Sequence, residues 1–201
     1  MIFLGGDPDM HTCGLATVDE NLKPTWVGCL RVDAKYKEQE AIVRMVQRIN
    51  THWFNAMPVE QENSYAVESQ EMYRYGRQSD TNPRNLLHLA HISGALLCRL
   101  NYIFPGGGGY LPKPAEWKGT VDKLVYQKWI LQKAGVPFNT VVVLGGKKPY
   151  CSLLTSDIPG SSDLNPGDWK HVVDAIGLAQ YAATRYLKES RKAAALAAVR
   201  V

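Results

Sequence analysis

Three short runs rich in apolar residues fill the first 32 positions, and they constrain the fold more than any other part of the chain. The runs cover residues 2–4, 14–19 and 26–32, and the turns between them contain Gly5-Gly6-Asp7-Pro8-Asp9 and residues 21–24. Apolar runs of this length, bounded by Gly, Pro, Asn and Asp, are typical of consecutive β-strands. The opening therefore predicts a three-stranded antiparallel meander.

Helical and strand patterns alternate through the rest of the chain. Apolar residues recur at helical spacing in four segments, and two further short runs have the character of strands. The predicted helices cover about 38–54, 83–100, 120–134 and 168–190, and the predicted strands cover 64–68 and 102–104. Strands interspersed with helices are typical of layered domains. We therefore expect an α/β fold with a central mixed five-stranded sheet flanked by helices.

The length and composition of the chain favour one domain. A chain of 201 residues with 45% hydrophobic content can bury one sizeable core and is marginal for two. We expect a single domain over 1–190, in which the turn-rich stretch 138–167 forms a hairpin or an insertion. The Ala-rich segment 191–201 is predicted to be a frayed helix or a disordered tail.

Charge and cysteine content set broad limits on location and partners. No stretch approaches the roughly 18 apolar residues that cross a membrane, so we expect no membrane association. The four cysteines are scattered without Cys-x-x-Cys spacing, which predicts reduced thiols in a cytoplasmic protein. A formal net charge of +4 permits a nucleic-acid partner without requiring one.

Side chains of the types that bind metals lie at three distant places in the chain. Asp7 and Glu68 end strand-like runs, and His171 and Asp174 are three residues apart, so a helix projects both to one side. Taken singly, they have ordinary explanations as a turn residue, a solvated strand end and residues of a first helical turn. Together they form a set of three carboxylates and one imidazole that suits Mg²⁺, and two such ions can cut a phosphodiester.

Four motifs, in the right order, resemble those of the RuvC-type Holliday junction resolvases, which have the RNase H-like fold. The first is the strand, Asp-Pro turn and returning strand of residues 5–19, and the second is Val67-Glu68 with the helix around 90–96. Residues 114–123 resemble the basic segment that precedes the family's next helix, and residues 171–179 resemble its closing helix. The resemblance covers most of the chain.

The resemblance implies a metal centre and a function. It implies that two Mg²⁺ ions per active site, for which Mn²⁺ can substitute, are held by Asp7, Glu68, His171 and Asp174. Asp7 is the best candidate to bridge both ions, and His171 either binds metal or helps to move a proton. The implied enzyme is a crossover junction endodeoxyribonuclease, which resolves four-way junctions by paired symmetric nicks through metal-activated water. It is expected to bind branched DNA as a homodimer.

Two groups of residues are candidates for contacts with DNA. Lys118 and Lys123 correspond to positions that would hold phosphates near the metals, and the alternative is that they are solvated surface lysines. The loop after Glu68 mixes aromatic and guanidinium groups, which can stack on unpaired bases and pair with phosphates. Because this loop approaches the crossover in the family, we expect stacking near the branch point, with an ordinary surface loop as the alternative. Its candidate residues are Tyr73, Arg74, Tyr75 and Arg77.

The chain departs from the family pattern at three places. Gly6 replaces an aliphatic residue, Asp9 stands where bacterial members usually have Gly, and the stretch 138–167 is longer than the corresponding connection. These departures predict a divergent branch. We expect a phage-encoded protein that acts in the bacterial host cytoplasm.

Other functions fit the same residues. An exonuclease or a ribonuclease on the same fold would use the same acidic ligands, and a DNA-binding protein would recognise branches without cutting them. An actin-like phosphotransferase also carries Asp before a Gly-containing turn, but it needs two such domains. A chain of 201 residues is too short for that alternative.

Overall fold

The computed structural model describes residues 1–51, 64–69, 83–104, 107–142, 148–154 and 157–198. Its strands are β1 (Phe3–Asp7), β2 (Thr12–Val18), β3 (Pro24–Arg31), β4 (Ser64–Val67), β5 (Gly109–Tyr110), β6 (Phe138–Val141) and β7 (Tyr150–Leu153). Its helices are α1 (Glu38–Thr51), α2 (Pro83–Ile103), α3 (Pro114–Trp117), α4 (Lys123–Lys133) and α5 (Trp169–Ala198). Within the described ranges, none of the helices is both long and apolar enough to cross a membrane.

Five of the strands form one sheet, in the order β3-β2-β1-β4-β5. The first three pair antiparallel, which confirms the predicted meander. Strand β4 runs parallel to β1, and β5 runs parallel to β4. The sheet is therefore mixed and five-stranded, as the order of the elements predicts. Because β1 and β4 are parallel neighbours, their carboxyl ends lie at the same edge of the sheet.

The fifth strand is not where the sequence predicts it. Residues 102–104 were expected to form a strand, but α2 continues to Ile103 and β5 is Gly109–Tyr110. The apolar period explains the longer helix, because Leu96, Leu100 and Phe104 follow at intervals of four and are all buried. A glycine is needed in β5, since a Cβ on Gly109 would lie 2.7 Å from the hydroxyl oxygen of Tyr65.

Helices cover both faces of the sheet. Successive strand residues point to opposite faces, so Phe3 and Leu4 enter different cores, as do Leu15 and Ala16. Helices α1 and α2 close the core that contains Leu4 and Leu15, whereas α4 and α5 close the core that contains Phe3 and Ala16. The result is a layered α/β domain in which the sheet is buried on both sides.

A small hairpin lies beside the second of these cores. The stretch 138–167, predicted to be a hairpin or an insertion, contains the antiparallel pair β6 and β7, in which Thr140 lies opposite Cys151. Both α4 and α5 contact β7. Helix α5 then runs through to Ala198, so residues 191–198, predicted to be a frayed helix or a tail, continue this helix with exposed side chains.

Two glycines let α5 lie directly on the sheet. A Cβ on Gly5 of β1 would overlap the carbonyl oxygen of Ala175, and one on Gly14 of β2 would overlap the backbone of His171. The helix contributes small residues to the same contact, and Ala175 and Ala179 are fully buried. The backbones of helix and strands therefore touch without intervening side chains, which fixes the height of α5 above the sheet.

We predict that Gly5→Ala destabilises the protein by about 1–3 kcal/mol, the usual cost of overpacking a core. Gly94→Ala is the matched control, because Gly94 lies in α2 and a Cβ there would meet no atom within 4 Å. That change is expected to add up to about 1 kcal/mol, since Ala is the better helix former. Urea denaturation of both variants measures the difference, and equal stabilities would contradict the proposed contact.

Candidate functional site

Asp7 and Glu68 lie side by side where two parallel strands end. Asp7 is the last residue of β1, and Glu68 directly follows β4, whose Val67 is in register with Gly6. The N–H of Glu68 donates to the carbonyl oxygen of Gly6 at 3.2 Å, so parallel pairing continues to the acid itself. Both side chains are buried. The register of the sheet thus joins two acids that are far apart in the sequence.

The beginning of α5 places His171 and Asp174 against the same edge. His171 Nδ1 lies 2.8 Å from Asp7 Oδ2, across the close contact between α5 and β2 at Gly14. Asp174 follows one helical turn later and is 2% exposed. The charges of Asp7 and Asp174 both act on Glu68. The structure therefore brings together the four residues that the sequence predicts as metal ligands.

The contact with Asp7 determines which nitrogen of His171 carries a proton. An ionised carboxylate can only accept hydrogen bonds, so Nδ1 of His171 donates to Asp7. In the neutral ring, Nε2 then keeps a free lone pair. Among the described residues, this buried Nε2 has no hydrogen-bond partner, and the nearest carboxylate oxygen, Asp9 Oδ2, is 3.8 Å away. Nε2 is thus a buried nitrogen with an available lone pair, which is the kind of atom that binds a metal.

Burial and mutual repulsion act on the three carboxylates in different ways. Burial, with the charge of Asp7, raises the pKa of Glu68 to about 8. Burial also raises the pKa of Asp174, although the Lys123 ammonium partly opposes the change. For Asp7, burial is outweighed by the hydrogen bond and charge of His171, so its pKa lies below the ordinary value. Ionisation of all three carboxylates at once is thus unfavourable by itself, and a bound cation would favour it.

The two lysines predicted to hold DNA phosphates lie against these acids. Lys123 is the first residue of α4, which Asp122 caps by accepting from the N–H of Leu124 at 2.9 Å. Its ammonium forms an ion pair with Asp174 Oδ2. Lys118 follows α3, and its Nζ lies 3.4 Å from Glu68 Oε1. Each lysine therefore provides positive charge to a buried carboxylate and is not simply a solvated surface residue.

The aromatic and guanidinium candidates cannot be placed in the same way. Tyr73, Arg74, Tyr75 and Arg77 lie outside the described residues. Their assignment to the branch point of a junction stays a prediction from the sequence.

Two further polar residues make side-chain hydrogen bonds at the beginning of α5, and neither was predicted as a site residue from the sequence. Gln127 of α4 is fully buried and donates to Asp174 Oδ1 at 2.8 Å. Asp168, just before α5, accepts from Arg31 Nε of β3 at 2.8 Å and from the N–H of Asn165 at 2.6 Å. One signal was available for Gln127, because it lies three and four residues before the buried Ile130 and Leu131, on the inner face of its helix.

The donor set fits a hard divalent cation. Three carboxylates and one neutral imidazole nitrogen are the ligand types that Mg²⁺ and Mn²⁺ accept. Within the described ranges, no three His, Cys, Asp or Glu side chains already converge as ligands of one ion. The ammonium groups of Lys118 and Lys123 contact two of the carboxylates instead. The site therefore combines ligand types that suit a divalent cation with two lysines that contact its carboxyl groups.

The sheet order and the helices on both faces define a mixed α/β domain with the RNase H-like fold. In particular, the fold is similar to that of RuvC from Thermus thermophilus. A structure of that protein in complex with a Holliday junction substrate is 19% identical, with a TM-score of 0.50 over 89% of this chain and 90% of that chain. A second structure of Thermus thermophilus RuvC is 16% identical, with a TM-score of 0.50 over 89% and 91%.

The likeness to RuvC confirms, at the level of the fold, the resemblance that the four motifs indicate. No protein-family model matches the chain, and no curated protein matches its sequence. At this degree of identity the common feature is the architecture.

We predict that Lys123→Met lowers the free energy of unfolding by about 1–3 kcal/mol, because it leaves Asp174 buried without its cation. The partial exposure of Lys123 and uptake of a proton by Asp174 limit the loss. The double variant Lys123→Met/Asp174→Asn should recover most of it. Lys128→Met, in the same helix, is the control. An unchanged unfolding midpoint for Lys123→Met would show that the ion pair has no energetic role.

The ion pair of Arg31 and Asp168 should make the stability of the protein depend on pH. Burial opposes ionisation of Asp168, but the hydrogen bonds from Arg31 and Asn165 outweigh it and hold its pKa below the ordinary 3.8. The stabilisation is therefore present above that value and is lost as the pH falls through the lower, folded-state pKa. Asp168→Asn should cost about 1–2 kcal/mol at pH 7, with a smaller difference at pH 3.

Chemical denaturation at both pH values measures this effect. The exposed pair of Asp33 and Lys35 provides the control, since Asp33→Asn removes a carboxylate that makes no buried contact. A difference between wild type and Asp168→Asn that is as large at pH 3 as at pH 7 would exclude ionisation of Asp168 as the source of the stabilisation.

Proposed function

We propose that the chain is a metal-dependent DNA endonuclease that resolves four-way junctions. The observation that carries the proposal is the meeting of Asp7, Glu68, His171 and Asp174 at one edge of a sheet with the RuvC fold. The solved RuvC complex holds a Holliday junction substrate. The similar architecture, together with this chain's acidic cluster at the ends of β1 and β4, supports a branched DNA substrate for this chain.

In this proposal, Asp7, Glu68, Asp174 and Nε2 of His171 would hold two Mg²⁺ ions, with Mn²⁺ able to substitute. Such ions, when bound, supply the positive charge that activates water and stabilises the leaving oxygen of a phosphodiester. Asp7 is the best candidate to contact both ions, because it lies between Glu68 and His171 at the end of the central strand.

The other residues of the site have separate tasks. Asp7 orients the ring of His171 and fixes its tautomer, which leaves Nε2 to bind a metal or to accept a proton. Lys118 and Lys123 place two ammonium groups at the margin of the cluster, where a DNA phosphate would meet positive charge. We expect their loss to weaken both junction binding and cleavage.

The symmetry of the substrate supports a homodimer. A four-way junction is resolved when two strands are nicked symmetrically, and one active site on each of two identical subunits satisfies that requirement. A monomer would have to release the junction and bind it again between the two nicks. The proposal therefore includes a symmetric dimer as the active form.

We predict that Asp174→Asn lowers the rate of junction nicking at least about 100-fold, the upper range for loss of a residue that supports a metal ligand. Binding of the junction should be retained, because the fold and the rim are unchanged. The assay uses a synthetic four-way junction with Mg²⁺ or with EDTA, followed by mapping of the nicks. Asp33→Asn, the same chemical change at an exposed position, is the control.

Four outcomes would overturn the proposal. Cleavage in EDTA, or full activity of Asp174→Asn, would exclude the metal mechanism. Cutting of linear ends or of RNA–DNA hybrids in preference to the intact junction would favour an exonuclease or a ribonuclease. Tight junction binding by the wild type without any cleavage would favour a protein that recognises branches and does not cut them.

A further inference from the structure

A single buried amide connects the acidic cluster to the hairpin of β6 and β7. Gln127 of α4 is fully buried, and its side chain makes three hydrogen bonds. Nε2 donates to Asp174 Oδ1 at 2.8 Å and to the carbonyl oxygen of Lys170 at 3.1 Å. Oε1 accepts from the N–H of Cys151, in β7, at 3.0 Å. The amide therefore touches a predicted metal ligand, the first turn of α5 and the hairpin at once.

The chemistry of these partners permits only one orientation of the amide. The N–H of Cys151 can only donate, so it must face the oxygen of Gln127. The carbonyl of Lys170 and the carboxylate of Asp174 can only accept, so both must face the nitrogen. A rotated amide would place like groups against each other at all three contacts. The hairpin thus dictates that Gln127 donates to Asp174.

This fixed donor distinguishes the two oxygens of Asp174. Gln127 donates to Oδ1, whereas Oδ2 contacts the ammonium of Lys123, which is the end of a long and partly exposed side chain. The amide of Gln127 is held in the core by two backbone groups and cannot move away from Asp174. The ammonium of Lys123 is partly exposed, so it can leave Asp174 for the solvent. Oδ2 is therefore the oxygen that an incoming cation can take over, and Oδ1 stays anchored.

We propose that Gln127 is a positioning residue for the metal site. The β6–β7 hairpin fixes the orientation of the Gln127 amide, and the amide in turn fixes the orientation of the Asp174 carboxylate that would bind a divalent cation. The inference rests on the proposed function, because it assigns Asp174 as a ligand. Gln127 does not itself contact substrate or metal in this scheme. Its role is to restrict the carboxylate to one orientation, so that less freedom is lost when a cation binds.

The test measures binding of Mn²⁺ by calorimetry, without DNA. Gln127→Met has a similar size and lacks all three hydrogen bonds, and it is expected to weaken Mn²⁺ binding about 10-fold or more. Gln180→Met is the matched control. Gln180 is also a buried glutamine, but its amide donates to the carbonyls of Leu22 and Ile130, away from the acids. Its loss should lower thermal stability and leave the Kd for Mn²⁺ unchanged.

A second variant covers the case in which Gln127→Met does not fold. Gln127→Asn keeps an amide but is shorter by one methylene, so it cannot reach both Cys151 and Asp174. It should also weaken Mn²⁺ binding, and in the Asp174→Asn background its effect should disappear. Equal Kd values for wild type and a folded Gln127 variant would overturn the positioning role.

The outcomes separate this inference from the proposed function. If the wild type binds Mn²⁺ and the Gln127 variants bind it equally well, the positioning role fails while the nuclease proposal stands. If the variants lose Mn²⁺ and the wild type binds it but never nicks a junction, the positioning role stands and the nuclease proposal fails. If the wild type binds no Mn²⁺, both fail together.

Discussion

The contact of α5 with the two central strands is the constraint on which the rest of the site depends. At Gly5 and Gly14 the helix backbone touches the strand backbone, and a single Cβ at either position would push the two apart. The distance between His171 and Asp7 follows from this contact, because one residue is carried by the helix and the other by the strand. A site that draws its ligands from separate elements needs such a fixed spacing, since coordination tolerates little displacement.

Much of this arrangement follows from sequence patterns. Alternating apolar runs and turns predict the meander, and strand ends that carry acids predict that Asp7 and Glu68 meet once β4 pairs parallel to β1. The prediction of the fifth strand is wrong, because β-rich composition at 102–104 outweighed a helical period that continues from Leu96 to Phe104. The sequence of Gly109 and Tyr110 does not have the pattern of a strand. The close approach of the Tyr65 ring explains the glycine at position 109.

The residues missed by sequence reasoning are those that act through partners far along the chain. The role of Gln127 depends on a backbone N–H in β7, and that of Asp168 depends on an arginine in β3. The sequence around Gln127 and Asp168 does not indicate that Cys151 and Arg31 are their partners. The lysines illustrate the same limit. In the sequence, Lys118 and Lys123 look like ordinary surface lysines, and only the folded structure shows that they lie against acids. Patterns identify which residue types can do chemistry, and packing decides which of them meet.

If the acidic cluster binds a divalent cation as proposed, the ion pair of Lys123 with Asp174 competes with that cation for the same carboxylate. Because the ammonium of Lys123 is attached to the chain close to Asp174, its effective concentration there is in about the millimolar range. A free ion must therefore compete with a group that is always present. A nucleic-acid phosphate at the rim would offer that ammonium another partner and so relieve the competition. Polymer and ion would then strengthen each other's binding by the same factor. The ion pair would thereby weaken cation binding in the absence of nucleic acid without preventing it, and full loading would be favoured in its presence.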